Sequence, residues 1–107
     1  MEREQIMERM TFIMYGDDLC RVNINEDKKG IKTIIVDLHG FDRKRTAKMI
    51  SNIIAMFMFP FNLVLIHGYN HGTVLKEYIA YELNNPRIAK KTSPYYNPGI
   101  TYLTIDK

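Results

Sequence analysis

The sequence predicts an α/β fold, a two-layer α/β sandwich of βαβαβ type. Two nearly continuous apolar runs, residues 31–38 and 61–66, are typical of strands buried on both faces. A cleanly alternating run, residues 100–105, predicts a final strand. Helical apolar stripes lie between these runs, and right-handed crossovers make the first two strands parallel.

Each helix of this pattern has a recognisable beginning or end. Asp42 is suited to cap a helix that Pro60 closes, and residues 73–84 form a second helix ended by Asn84-Asn85-Pro86. The inward positions of the two helices are Ala47, Ile50, Ile54 and Phe57, and then Leu75, Tyr78, Ile79 and Leu83. Residues 87–98 are predicted to be a polar, basic loop.

The first 30 residues are predicted to be an extension of a main domain spanning residues 31–107. Four apolar residues fall on one helical stripe that Gly16 would end: Ile6, Met10, Ile13 and Met14. A hairpin pairing residues 11–15 with 19–24 is the alternative. Residues 20–24 alternate as a half-exposed strand does. The stripe is also a candidate partner surface, through which a homo-oligomer would form.

Composition bounds the class of protein. The chain has 107 residues, a formal charge of +3 and 46% hydrophobic residues, so it can form a core and tolerates an anionic partner. Its one cysteine, Cys20, and an N-terminus without a signal-peptide pattern predict a cytoplasmic protein. The uncharged stretch 49–66 is interrupted by Pro60, so we expect a helix and a strand there rather than a membrane span.

Both apolar strands end in the dipeptide His-Gly. His39-Gly40 follows the first strand and His67-Gly68 follows the second. Parallel strands end at the same edge of a sheet, which is where open α/β sheets bind ligands. Because histidine exchanges protons near neutral pH, we expect these residues and His71 to form one chemical site.

The first turn carries an acid beside the imidazole. Asp37 and His39 alternate onto one face of a strand, so the carboxylate is placed to orient the imidazole for acid–base catalysis. Gly40 allows a tight turn or the close approach of a phosphate. The structural alternative is that Asp37 caps the turn and His39 only packs.

The second turn is a loop that leads into a helix. Its amides and the helix N-terminus predict an anion site over His67, Gly68, Tyr69, Asn70, His71 and Gly72. It lacks the lysine of a nucleotide-binding P-loop and the three spaced glycines of a dinucleotide site. Asp37 and the three histidines have no known zinc spacing, so no metal site is predicted.

Basic residues flank both turns. Arg43, Lys44 and Arg45 follow the first, and Lys90 and Lys91 lie in the predicted late loop. These residues are candidates for phosphate contacts, although charge runs commonly form a solvated face. They are interleaved with three tyrosines that are candidates for stacking on bases or for ordinary packing: Tyr69, Tyr95 and Tyr96.

In order, these motifs resemble the Smr (small MutS-related) domain over about residues 31–106. The matching residues are Asp37-Leu38-His39-Gly40, Ala47, His67-Gly68 with Gly72, and Asn97-Pro98-Gly99 before the last strand. Asn70 stands where that family has a middle glycine, and asparagine tolerates left-handed backbone angles. The resemblance implies a fold similar to the C-terminal domain of translation initiation factor three. It also implies nucleic-acid binding and, in several members, nuclease activity.

The resulting expectation is a nucleic-acid-binding domain with endonuclease activity on DNA or RNA. His39 would be the general acid or base, and Asp37 would orient its imidazole or position a phosphate contact. His67 would be a second proton carrier or a phosphate ligand. RNA cleavage through the 2′-hydroxyl needs no metal, whereas DNA cleavage would call for Mg²⁺ or Mn²⁺. The alternative is a binding module without catalysis.

Overall fold

The computed structural model describes residues 1–68 and 73–107, in which helices cover one face of a five-stranded mixed sheet. The helices are α1 (Arg3–Met10), α2 (Arg43–Met56) and α3 (Val74–Glu77), and α3 continues as a π-helical turn over Tyr78–Glu82. The strands are β1 (Val22–Glu26), β2 (Lys32–Asp37), β3 (Phe61–Ile66), β4 (Ile88–Thr92) and β5 (Ile100–Ile105), and a 3-10 helix covers Gly16–Arg21. The predicted two-layer α/β class is confirmed.

The sheet has the order β1-β2-β3-β5-β4, in which β2 and β3 are parallel and all other neighbours are antiparallel. The predicted parallel pair is therefore confirmed. Asp42 caps α2 as expected, since its Oδ1 accepts a hydrogen bond of 2.7 Å from the backbone N–H of Arg45. The buried face of α2 carries Ile50, Ile53 and Ile54 against the sheet.

Burial in β2 and β3 corrects one sequence expectation. Both runs were expected to be buried on both faces, yet Ile34 is buried whereas Ile35 is only half-buried, and Ile66 is exposed. The reason is that the helices cover a single face of the sheet, so alternate residues of each apolar strand point away from the core.

The predicted loop over residues 87–98 is also wrong in part, because β4 occupies Ile88–Thr92. This strand contains one large apolar side chain, Ile88, and two lysines, which is why no strand pattern was visible. Edge strands tolerate such a composition because one side of the strand pairs with the sheet and the other faces solvent. Here β4 pairs antiparallel with β5.

The N-terminal 30 residues share the sheet and the core. Helix α1 agrees with the helical expectation rather than the hairpin, although it ends at Met10 and not at Gly16. Ile6, Met10 and Met14 are buried in the same core as β2 and α2. The surface that was expected to mediate oligomerisation is therefore covered by the chain itself. Strand β1 completes the sheet by pairing with β2.

The uncharged stretch divides as predicted, with α2 ending at Met56 and β3 beginning at Phe61. Among the helices within residues 1–68 and 73–107, none has the length and apolar character needed to cross a membrane.

Candidate functional site

The two His-Gly turns lie at the same edge of the sheet. Asp37 and Ile66 are paired at the ends of the parallel strands, and the backbone N–H of Leu38 donates to the Ile66 carbonyl at 2.8 Å. His39 and His67 consequently line one cleft of about 410 Å³. The other residues of its wall include Gly40, Phe41, Asp42, Arg43, Gly68 and Lys76. The geometry thus brings together His39 and His67, the two histidines among the described residues.

The first turn is tight and depends on its glycine. Gly40 has φ +83°, a conformation that strains other residues, and the Phe41 N–H donates to the Leu38 carbonyl at 2.9 Å. The Asp37 carboxylate accepts a hydrogen bond of 2.9 Å from the backbone N–H of His39. Asp37 therefore shapes the turn, and this hydrogen bond goes to the backbone rather than to the imidazole.

Arg21 holds the same turn from outside. Its Nη1 donates to the carbonyl oxygens of Asp37 at 3.2 Å and of His39 at 2.6 Å, while its Nε pairs with Asp18 at 3.0 Å. The guanidinium also lies 5.0 Å from the centroid of the Phe41 ring. Sequence analysis missed Arg21, because no motif links a residue of the N-terminal segment to a turn 16 positions later.

His67 is held from both ring nitrogens. Its Nδ1 lies 3.0 Å from the Gly68 carbonyl and its Nε2 lies 2.8 Å from the Thr101 hydroxyl. A carbonyl oxygen can only accept, so Nδ1 carries the proton of the neutral ring and Nε2 accepts from Thr101. The backbone N–H groups of His67 and Gly68 both donate to the Gly99 carbonyl at 2.9 Å.

The surroundings of His67 favour the neutral ring. Burial lowers the pKa of His67 below its ordinary value of 6.5, and the charge of Lys76 lowers it further. The hydrogen bond to the Gly68 carbonyl raises the pKa and offsets part of this effect. Thr101 and Lys76 were both missed by sequence analysis. Thr101 follows the Asn-Pro-Gly segment, but only strand pairing brings it beside His67.

The cationic residues of the cleft are Arg43 and Lys76. Arg43 is exposed and pairs with Glu82 at 3.3 Å, an ion pair that solvent weakens and an anionic ligand can displace. The carboxylate of Asp42, also in the cleft wall, is engaged as the cap of α2. The cleft therefore favours an anion.

The remaining predicted basic residues differ in surroundings. Lys44 and Lys90 are exposed, and Arg45 pairs with Asp18 while its guanidinium lies 4.0 Å from the centroid of the Phe41 ring. Lys91 has another role, since its Nζ donates to the carbonyls of Ile79 at 2.7 Å and Leu83 at 2.6 Å. Burial lowers the pKa of Lys91, and its ammonium group caps the end of the third helix.

Four predicted site residues lie outside the described residues: Tyr69, Asn70, His71 and Gly72. Within residues 1–68 and 73–107, no group of three or more His, Cys, Asp or Glu side chains is arranged to hold a metal ion.

Comparison with known proteins adds no family to this description. No protein-family model, no curated protein and no solved structure matches the chain. The functional argument therefore comes from the site itself.

Proposed function

We propose that this chain is an Smr-like domain that binds nucleic acid in the cleft and cleaves phosphodiester bonds with His39. The observation that carries the proposal is an exposed imidazole in one cleft with two cations, Arg43 and Lys76. The His39 side chain is exposed, and no side chain within residues 1–68 and 73–107 forms a hydrogen bond with its ring, so none of these side chains competes with a substrate for the ring nitrogens. Arg21 and Asp37 fix the backbone on which this imidazole stands.

On RNA, His39 would take the proton of a 2′-hydroxyl as that oxygen attacks the adjacent phosphorus. The bond from phosphorus to the 5′-oxygen of the next nucleotide breaks, and this oxygen takes up a proton from the imidazolium or from water. The products are a 2′,3′-cyclic phosphate and a 5′-hydroxyl. Arg43 and Lys76 would stabilise the charge that develops on the non-bridging oxygens.

On DNA, which lacks the 2′-hydroxyl, water would be the nucleophile and a divalent ion would be needed to activate it. His67 has a structural role in either reaction. Its two ring nitrogens are engaged by Gly68 and Thr101, so we assign it to holding the second turn rather than to moving a proton.

The test is cleavage of labelled single-stranded RNA, structured RNA and supercoiled DNA, each with and without Mg²⁺ or Mn²⁺. Wild type is expected to cleave at least one substrate, and His39→Ala and His39→Gln are expected to lose at least a hundredfold in rate, the lower end for a general acid–base group. Lys29→Ala, in the turn that precedes β2, is the matched surface control and should retain the wild-type rate. Equal cleavage by wild type and His39→Ala would rule out this enzyme.

A binding module without catalysis is the second candidate. It is favoured by the engagement of the His67 ring and of the Asp37 carboxylate, which leaves His39 as the one unengaged imidazole within residues 1–68 and 73–107. This candidate predicts salt-dependent affinity that survives His39→Ala and falls in Arg43→Ala with Lys76→Ala, but not in Lys29→Ala. Binding without turnover on every substrate would select it.

A further inference from the structure

A second groove of about 360 Å³ adjoins the cleft, and Phe41 lines both. One wall of the groove is the segment that joins α1 to the 3-10 helix, residues 12–15. The other wall is the outer side of α2, including Arg45, Lys48 and Asn52. The cleft and the groove are therefore neighbours that share the buried Phe41 side chain, over whose ring the Arg45 guanidinium lies.

The first wall presents two aromatic rings to solvent. Phe12 is 74% exposed and Tyr15 is 76% exposed, while Met14 between them is buried in the core. The buried residue anchors the segment, so the two rings are held at the surface rather than on a free tail. Single exposed aromatic residues are common on protein surfaces. Two aromatic rings along one groove, beside cationic side chains, are the arrangement that suits stacking on the bases of a single strand.

The second wall is positively charged. Arg45, Lys48 and Asn52 have the spacing i, i+3, i+7, which places them on one stripe of α2. The carboxylate lining this groove belongs to Asp18, and it is engaged by the guanidinium groups of both Arg21 and Arg45. Because its carboxylate is already paired, the groove is positively charged, and charge complementarity favours a polyanion as its ligand.

The length of the stripe suits a short run of nucleotides. The seven helical steps from Arg45 to Asn52 span roughly 10 Å at a rise of about 1.5 Å each. Stacked nucleotides repeat at about 3.4 Å along a strand, so the stripe covers about three of them. Rings on one wall and cations on the other match bases and phosphates of a single strand.

We propose that this groove binds about three nucleotides of single-stranded nucleic acid next to the strand segment held in the cleft. Phe12 and Tyr15 stack on unpaired bases, Lys48 and Arg45 contact phosphates, and the Asn52 amide hydrogen-bonds a base edge. A duplex keeps its bases stacked on one another and cannot use the aromatic wall, so the groove selects single strands. This inference rests on the proposed nucleic-acid function and names its substrate class.

The test is fluorescence anisotropy with labelled 12-nucleotide oligo(U) and oligo(dT) and with a 12-base-pair duplex. Phe12→Ala and Tyr15→Ala are each expected to weaken single-strand binding roughly fivefold or more. Duplex binding should change less than twofold. Phe12→Tyr and Tyr15→Phe retain a ring and should bind as wild type. Tyr81→Ala is the matched control, because Tyr81 is 85% exposed but lies outside both grooves.

Three binding outcomes would overturn this inference. They are unchanged single-strand affinity in Phe12→Ala with Tyr15→Ala, an equal loss on the duplex, or an equal loss in Tyr81→Ala. A wild-type dimer that these variants convert to monomer, by light scattering, would assign the groove to self-association instead. Loss of cleavage is a separate readout, since His39→Ala tests the chemistry and should leave binding in this groove intact.

Discussion

Two histidines in equivalent sequence positions have different physical roles. His39 ends a strand with an exposed ring, whereas the His67 ring is half-buried and hydrogen-bonded at both nitrogens. The difference arises from their neighbours. Thr101 of β5 and the carbonyl of Gly99, the residue before β5, hold the second turn, whereas within residues 1–68 and 73–107 no side chain forms a hydrogen bond with the His39 ring. A His-Gly dipeptide therefore does not by itself specify a proton carrier.

The lowered pKa of His67 predicts a pH dependence of stability. Below pH about 6.5, the ordinary value, the unfolded chain binds this proton more readily than the folded chain. The free energy of unfolding should therefore fall as pH is lowered from 7 towards 5, and His67 should contribute no pH dependence above this window. Urea denaturation at several pH values measures the effect.

The control for this measurement is His67→Gln, which cannot titrate. The variant should be less stable at pH 7, because Gln does not reproduce both hydrogen bonds of the ring, but its stability should depend less on pH between 7 and 5. Identical pH slopes in the two proteins would contradict a lowered pKa at His67.

At the scale of elements, β4 shows how a basic segment acquires a structural role. The segment was expected to be a phosphate-binding loop, yet Lys91 points to the helix layer and Lys90 is exposed. Pairing with β5 fixes this difference, because Lys91 pairs with Leu103, which is buried, and Lys90 pairs with Thr104, which is exposed. Two adjacent lysines therefore differ in which side of the sheet they occupy.

We expect Lys91→Ala to lower the free energy of unfolding by about 1–2 kcal/mol, because the carbonyls at the end of the third helix lose a cationic cap. Lys90→Ala is the matched variant and should change stability by less than about 0.5 kcal/mol. Urea denaturation at pH 7 compares the two. Equal effects would mean that the cap contributes nothing.

On the scale of the whole molecule, the N-terminal segment is structural and also borders the site. Ile6, Met10 and Met14 complete the core, and Arg21 connects the 3-10 helix to the turn that carries His39. The segment therefore determines both stability and the shape of the candidate site. Its exposed residues, Phe12 and Tyr15, remain available for a ligand.

Removal of residues 1–16 should prevent stable folding. Three buried apolar side chains contribute about 1.5–3 kcal/mol each, or about 5–9 kcal/mol together, against a typical total stability of about 5–15 kcal/mol. Near-ultraviolet circular dichroism and urea denaturation should show weakened or absent tertiary structure. A truncated protein with wild-type stability would contradict the place of α1 in the core.

The sequence by itself determined the α/β class, α2 with its Asp42 cap, the bounds of β3 and the parallel pairing of β2 with β3. These features follow from local periodicity, capping chemistry and the handedness of crossovers, all of which are readable in a window of neighbouring residues. The meeting of His39 and His67 at one edge followed from the same reasoning.

Only the tertiary structure decided which groups touch. The contacts of Arg21 with the His39 turn, of Thr101 with His67 and of Lys91 with a helix end join residues that are far apart in the chain. Side-chain hydrogen bonds depend on distances of about 3 Å between such groups, which no local pattern encodes. For the same reason the exposed face of the sheet and the edge strand β4 became visible only once the strands were paired.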